Sequence, residues 1–545
     1  MATVGEAPGL FLRKATGLVK GWSKFDAFVY SFMSINFVTL GLFFALSVLA
    51  FVPNGQVIPA ILISGVFVSF LVVTYAMLIS VMPRAGGDYV WQSRVIGGGV
   101  AFLLAVTGWW FILWYWAPIY ANILNVEVLQ PLAAIFKWGG LSTFLASKNG
   151  LFTVCIFTVL LAGYLVSLGM EGYAKVQRTC FYIGMVGLGI MLLVMLFGSH
   201  SGFISAFNKE SVNLFGSRNA YASSIAVAAK ANGGTIVPSL GLGGSFNGIL
   251  LLIPFLCFWI LWPNWGATLY GEVRGASDFK RVMTGMMYGL WVTIAIALVF
   301  ILLAAKFFGW QFFNAANLNY WNLVYGYITK APMSVWPYPP LLIGMYFHNS
   351  LLAGLLVIVF GAWFLGWAGT LFLSSTRVIF AAAFDRVLPE KVADVSEKRH
   401  VPVWGLILML VPAILVSAFY AYTNQFKTYI LDATLVIAIT FFGTAIAAII
   451  LPWRKKELYQ NSAVGKYKFL GLPLISVTGF LTAAFLGFNL WYWFSKDLYA
   501  VNNKDSLWFM GSMYILAIVI YVIAKVVRRN QGIDLKAVYT EIPVE

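Results

Sequence analysis

The chain has 545 residues, of which 61% are hydrophobic and 10% charged, and its formal net charge is +16. With a mean hydropathy of +0.86, that composition excludes a soluble globular domain and points to a polytopic membrane protein. The positive charge alone would suit nucleic acid, so its placement along the chain has to be read before its sum.

Stretches of about 18 or more apolar residues, each able to cross a hydrocarbon core roughly 30 Å thick, recur along the sequence. Twelve are predicted, over residues 27–51, 57–82, 98–124, 151–169, 177–198, 247–270, 283–305, 350–374, 403–421, 429–451, 470–494 and 507–526. Ahead of the first, residues 1–24 lack an apolar core and carry Arg13, Lys14, Lys20 and Lys24, so this segment reads as a cytoplasmic lead and not as a cleavable signal.

The first span has no glycine before Gly41, but it carries Ser31, Ser34, Asn36 and Thr39. Such hydroxyl and amide groups satisfy freed backbone, which makes a break between Ser34 and Thr39 chemically reasonable. The second span closes on Pro83-Arg84-x-Gly86-Gly87-x-Tyr89, followed by Arg94 and Gly97. Proline stops the helix there and the glycines tolerate positive φ. In the third span Trp109, Trp110 and Trp114 suit either a pocket wall, an outer lid or packing between helices.

Residues 25–199 hold five spans, a polar Gly- and Ser-rich loop covers 200–245, and residues 246–451 hold five more; two additional helices fall in 452–527 and a tail in 528–545. Within the sixth span, Trp259-Ile260-Leu261-Trp262-Pro263-Asn264-Trp265-Gly266 places a helix breaker, an amide and a glycine at mid-membrane. Unpaired backbone groups cost several kcal/mol in hydrocarbon, so a break survives only where a ligand, an ion or water meets them. This run is the strongest candidate site in the sequence. The same span ends on Tyr270-Gly271-Glu272-Val273-Arg274, continued by Asp278, Lys280 and Arg281. The connection over 306–349 is long and carries Trp321, Trp336 and Pro337-Tyr338-Pro339-Pro340, suited to covering a vestibule or to surface packing. After the eighth span come Ser374-Ser375-Thr376-Arg377, then Ala383-Phe384-Asp385-Arg386-Val387-Leu388-Pro389, then Val401-Pro402.

With twelve spans and an inner amino terminus, roughly 25 Lys and Arg fall inside and about 10 outside, the sign the positive-inside rule requires. Both termini are therefore expected in the cytoplasm of a cell-membrane protein, with the basic clusters as topology anchors and lipid headgroup contacts, not a nucleic-acid surface. Cys155, Cys180 and Cys257 show no metal-ligand spacing, and His200, His348 and His400 are scattered on or near loops, which argues against a membrane-embedded enzyme. Asp26, Glu127, His348 and Asp432 fall near predicted span ends, where contact with water makes a buried proton relay a poor reading.

The three motif clusters after the second, sixth and eighth spans, in this order and at helix ends, together resemble the amino acid/polyamine/organocation (APC) superfamily of permeases. The resemblance runs from Lys24 to Leu451. It departs from the superfamily pattern where Asn-Pro is absent after Glu272-Val273, and where Phe384 and Arg386 replace Arg and Gly beside Asp385. It implies an all-α polytopic membrane protein of about twelve transmembrane helices: a 5+5 inverted repeat with the leucine-transporter-like fold, plus two C-terminal helices. In that fold the first and sixth helices are interrupted.

The implied activity is secondary transport of amino acids or related small organic amines by alternating access. No cofactor is implied beyond a coupling ion, a proton first, with sodium coupling or exchange as alternatives. Substrate-binding candidates are Ser34, Ile35, Asn36 and Thr39 of the first span with Trp259, Trp262, Pro263, Asn264 and Gly266 of the sixth. Arg84, Glu272, Arg377 and Asp385 form either an inner gate or a static network that fixes loop geometry. Thr370, Ser374 and Ser375 are the hydroxyls available to a sodium site.

Overall fold

The computed structural model describes residue 18 and residues 21–39, 41–234, 237–423 and 429–540. Arg13, Lys14 and Lys20 of the expected cytoplasmic lead lie outside the described residues. Among those described, eleven helices are long and apolar enough to cross a membrane. A twelfth crossing element, the first span, is split into Lys24–Ile35 and Leu42–Phe51.

Local chemistry sets several of the boundaries. Ser23 and Asp26 form a capping box that opens the first helix, and Ser147, Ser245, Asp278 and Asn503 cap the starts of the fourth, sixth, seventh and twelfth spans. The third span, expected to stop at 124, continues over Gly98–Ile135. The eighth, expected to stop at 374, runs over Ser350–Phe384. Apolar windows end where polar side chains begin, yet both helices continue because these polar side chains are buried inside protein. The seventh span bends at Gly309, with φ of 84°, into helix Trp310–Val324. The two long connections are themselves structured, by His200–Phe215 and Ala220–Ala231 in one and by Pro339–Tyr346 in the other.

Burial sorts the spans into centre and rim. Of the most apolar stretch of each, 78% is buried in the third span and 72% in the sixth, but only 17% in the twelfth. Phe157, Leu193, Leu415 and Ile523 on rim spans point outward, as lipid-facing side chains do. Both described ends of the chain lie on one face of the bundle. The Trp22 backbone bridges to Val273, and Tyr539 packs against Gly98 and under Arg94. This is called the terminal face below, and its opposite the far face.

Candidate functional site at two helix breaks

The helix that begins at Lys24 ends at Ile35, and the chain turns at Asn36, whose φ is 50°. The Asn36 side chain makes that turn possible: Oδ1 accepts from the backbone N–H of Val38 and of Thr39, both at 2.9 Å. It stands where a carbonyl of the previous turn would otherwise stand. Among the described residues its own Nδ2 and the Thr39 hydroxyl are buried without a well-formed hydrogen bond, whereas the Ser34 hydroxyl is returned to Tyr30 O at 2.7 Å. Ile35 is simply buried beside them.

The sixth span is helical over Phe246–Ile260, loses regular structure through Leu261, Trp262, Pro263 and Asn264, and resumes as a tighter 3₁₀ helix over Trp265–Glu272. Pro263 supplies the interruption because it has no N–H to donate. Ser31 Oγ donates to Pro263 O at 3.0 Å, tying this break to the first span. Gly266 permits the close approach, since a Cβ there would meet the Tyr30 ring at 3.2 Å. Both amide atoms of Asn264 are buried without a well-formed hydrogen bond, although the group lies beside the Tyr75 hydroxyl. Trp259 Nε1 is likewise buried and unpartnered, while Trp262 donates to Phe258 O.

Rings crowd around the sixth-span break. Trp262 and Trp265 meet edge to face, Trp109 meets Trp265 with centroids 4.8 Å apart, and Trp116 stacks on Phe258. Tyr120 of the third span stacks on Trp367 of the eighth at 3.6 Å. The hollow beside Tyr30, Ser31, Pro263 and Gly266 measures only about 10 Å³, too little for more than a water molecule. On the far face, by contrast, a cavity of about 380 Å³ is lined by Phe44, Ile119, Asn122, Trp321, Trp336 and Tyr420 among others. That volume suits a small solute.

On the terminal face two buried ion pairs join the span ends, beside an open cavity of about 280 Å³ lined by Gly21, Glu171, Glu272 and Arg399 among others. Arg377 grips Glu272 through Nε to Oε1 at 2.7 Å and Nη2 to Oε2 at 3.0 Å, and both side chains are buried. Arg94 pairs with Asp385 in the same two-pronged way, again fully buried. Removing one partner of a buried pair typically destabilises by about 3–5 kcal/mol. Trp22 packs beside the Glu272 pair: it is buried, donates through Nε1 to Met170 O at 2.9 Å, and its backbone is bonded to Glu272 O and Arg274 N.

The glycine pair of the second-span motif is explained by this packing. Gly86 N–H donates to Thr268 O at 2.8 Å; a Cβ on Gly87 would lie 2.9 Å from the Ala267 backbone and one on Gly86 2.5 Å from Ala381 Cβ. The turn is wedged between the sixth and eighth spans, and only glycine fits. Next to it Asp88 is wholly buried, accepting from Tyr75, from Thr444 at 2.6 Å and from Trp109 at 3.0 Å. Burial pushes its carboxyl up to about 6, against the lowering effect of those three donors.

Several expected site residues take other places. Trp110 and Trp114 both donate to Leu408 O of the ninth span, so they pack helices and form no lid; Trp109 is held by Asp88, and none of the three lines the far-face cavity. Arg84 donates to the neighbouring Pro83 O, and Asp385 is held by Arg94, which the sequence did not single out for it. Thr370 and Ser375 hydroxyls return to their own helix, at Trp367 O and Leu371 O, while Ser374 bridges Trp265 O and the Tyr30 hydroxyl. In this arrangement all three hydroxyls are taken up by hydrogen bonds within the helix packing. Asp26, Glu127 and Asp432, read from sequence as water-contacting, are buried, Glu127 to 1% exposure. The extension of the third span to Ile135 is what encloses Glu127.

A family model described as amino acid permease matches residues 23–524. No curated protein matches the chain. The match takes in both broken helices, both buried ion pairs and most of the twelfth span, and the chain accordingly belongs to the amino acid permease family, within the APC superfamily that its three end motifs resemble.

Proposed function

We propose that this permease is a proton-coupled secondary carrier that moves amino acids or related small amines by alternating access, with the terminal face in the cytoplasm. The supporting observation is the pairing of two broken helices, with two buried ion pairs and Trp22 at their terminal-face ends and a ring-walled cavity of about 380 Å³ on the far face. Backbone donors at the first break are the natural seat for a substrate carboxylate, and carbonyls at the ends of the facing half-helices for its ammonium group. In the closed arrangement the Val38 and Thr39 donors are held by Asn36 Oδ1. A carboxylate arriving from the vestibule takes the place of that amide oxygen, and Asn36 swings aside. The orphaned Asn264 amide then gains a partner in the substrate.

Radiolabelled uptake by the purified full chain in liposomes tests the reading, with a panel of competing amino acids and imposed proton or sodium gradients. Saturable uptake and counterflow driven by an inward proton gradient are expected. Uptake of no amino acid or amine removes the carrier reading, and flux without saturation or counterflow makes the protein a pore.

A further inference from the structure

Glu127 lies inside the third span, wholly buried, and its Oε1 has no hydrogen-bond partner among the described residues. The helix around it, Asn125–Leu129, widens into a π turn, a local register change frequent at functional sites. Facing the carboxyl is the first-span break, whose Thr39 hydroxyl lies beside it. Thr39 Oγ1 and, at the same break, Asn36 Nδ2 are also buried without hydrogen bonds.

The other buried acids lie away from the two breaks or are engaged. Glu272 and Asp385 hold arginines, Asp88 accepts from three donors, and Asp26 is capped by Ser23 and approached by Arg178; Asp432, like Glu127, keeps one oxygen without a hydrogen bond among the described residues, but it lies beside Ser506 of the twelfth span and not at a break. The titratable groups that face Glu127 are Tyr120 on its own helix and Tyr338 from the segment before Pro339–Tyr346. The eighth span, packed on the same turn, carries no acid or base before Arg377, and Gln130–Ile135 carries none.

An ionised carboxylate with only a hydroxyl beside it at this depth costs several kcal/mol, whereas a neutral carboxylic acid has an O–H to give and the Thr39 hydroxyl is placed to accept it. A hard metal cation needs several oxygens around it, and Asn36 Oδ1 is already held by two backbone N–H groups. We propose that Glu127 carries the coupling proton and that its charge state is felt at the first-span break through Thr39. The inference rests on the proton-coupled reading above. In the closed arrangement the carboxyl is neutral; when the break admits water the proton passes to solvent, and the carboxylate so formed is solvated until it is protonated again.

The test uses the purified full chain in liposomes under an inward proton gradient of about one pH unit, which at one proton per substrate supports about tenfold accumulation. Glu127→Gln is expected to reduce accumulation to equilibration while counterflow exchange at zero gradient stays within about twofold of wild type. Accumulation in that variant equal to wild type overturns the proposal, as does loss in the variant of a sodium-driven component instead of a proton-driven one. A wild type that exchanges substrate but ignores the proton gradient overturns the coupled reading itself, before any variant is compared. Where Glu127→Gln fails to fold, wild-type protein answers the question through dicyclohexylcarbodiimide, which adds to protonated carboxyls in apolar surroundings. Labelling mapped to Glu127 that fades as pH rises supports the proposal, and labelling that is absent or independent of pH overturns it.

Discussion

Asn36 and Asn264 sit at the two breaks, and their amides do different work. Asn36 fills the donors of its own turn, so it is a placeholder; Asn264 fills nothing and faces Tyr75. Replacing Asn264 by Leu is expected to weaken substrate binding about tenfold, the loss of roughly 1.4 kcal/mol, while the protein still inserts and remains folded. A competition assay giving wild-type affinity in that variant takes Asn264 out of the site. Asp88 supplies a second test, in pH. Its carboxyl titrates near 6 in the folded protein against 3.8 when unperturbed, so between those values the native state holds a proton that the unfolded chain has released. Stability therefore falls as pH rises from about 4 to 6 and levels above that. Melting in detergent is expected to show this slope in wild type and a shallower one in Asp88→Asn; an unchanged slope assigns the effect to another group.

At the scale of elements, the first break can be read as a side-chain device within a helix. Asn36 tolerates φ of 50° better than a β-carbon residue without a local hydrogen bond, and it also supplies the cap. Asn36→Ala loses both advantages, whereas Asn36→Gly loses only the cap, so the glycine variant should be the more stable by about 1 kcal/mol in thermal unfolding. Equal losses in the two variants mean that the turn's geometry is set by its neighbours instead.

Much of this was legible in the residues. Pro263 beside Asn264 located the sixth-span break, and Ser34 to Thr39 bracketed most of the first, because breakers and local hydrogen-bonding side chains act over a few residues. The partners of the charges were harder to read. Asp385 finds Arg94 across 291 positions, a distance that no local pattern encodes. Glu127 looked wet because an apolar window ends before it, yet its polar neighbours are buried by the eighth span and by the far-face connection. Trp110 and Trp114 illustrate the converse: tryptophan is equally at home against a neighbouring helix, and its sequence does not say which.

For the molecule as a whole, two buried ion pairs join the eighth span to its surroundings, one to the sixth and one to the helix Asp88–Val95 that follows the second, and under the proposed mechanism these are the bonds that opening on the terminal face breaks. Weakening one should favour the arrangement open on that face. In a chain with Cys155, Cys180 and Cys257 replaced by alanine and Tyr270→Cys added as a reporter, Asp385→Asn is expected to raise several-fold the rate at which a membrane-impermeant thiol reagent reaches the reporter from the terminal face, because a buried arginine left unpaired favours solvent. An unaltered rate makes the pair a fixed brace and not part of a gate.

The strand-like bridge between Trp22 and Val273 adds a mechanical consequence. Hydrogen bonds from both sides of the Trp22 peptide run to Glu272 and Arg274, so the leading segment is stitched to the end of the second half of the sixth helix. Pulling on residues upstream of Gly21 pulls on that half-helix. A binding partner, a tag or a modification there would thus have a lever on that half-helix.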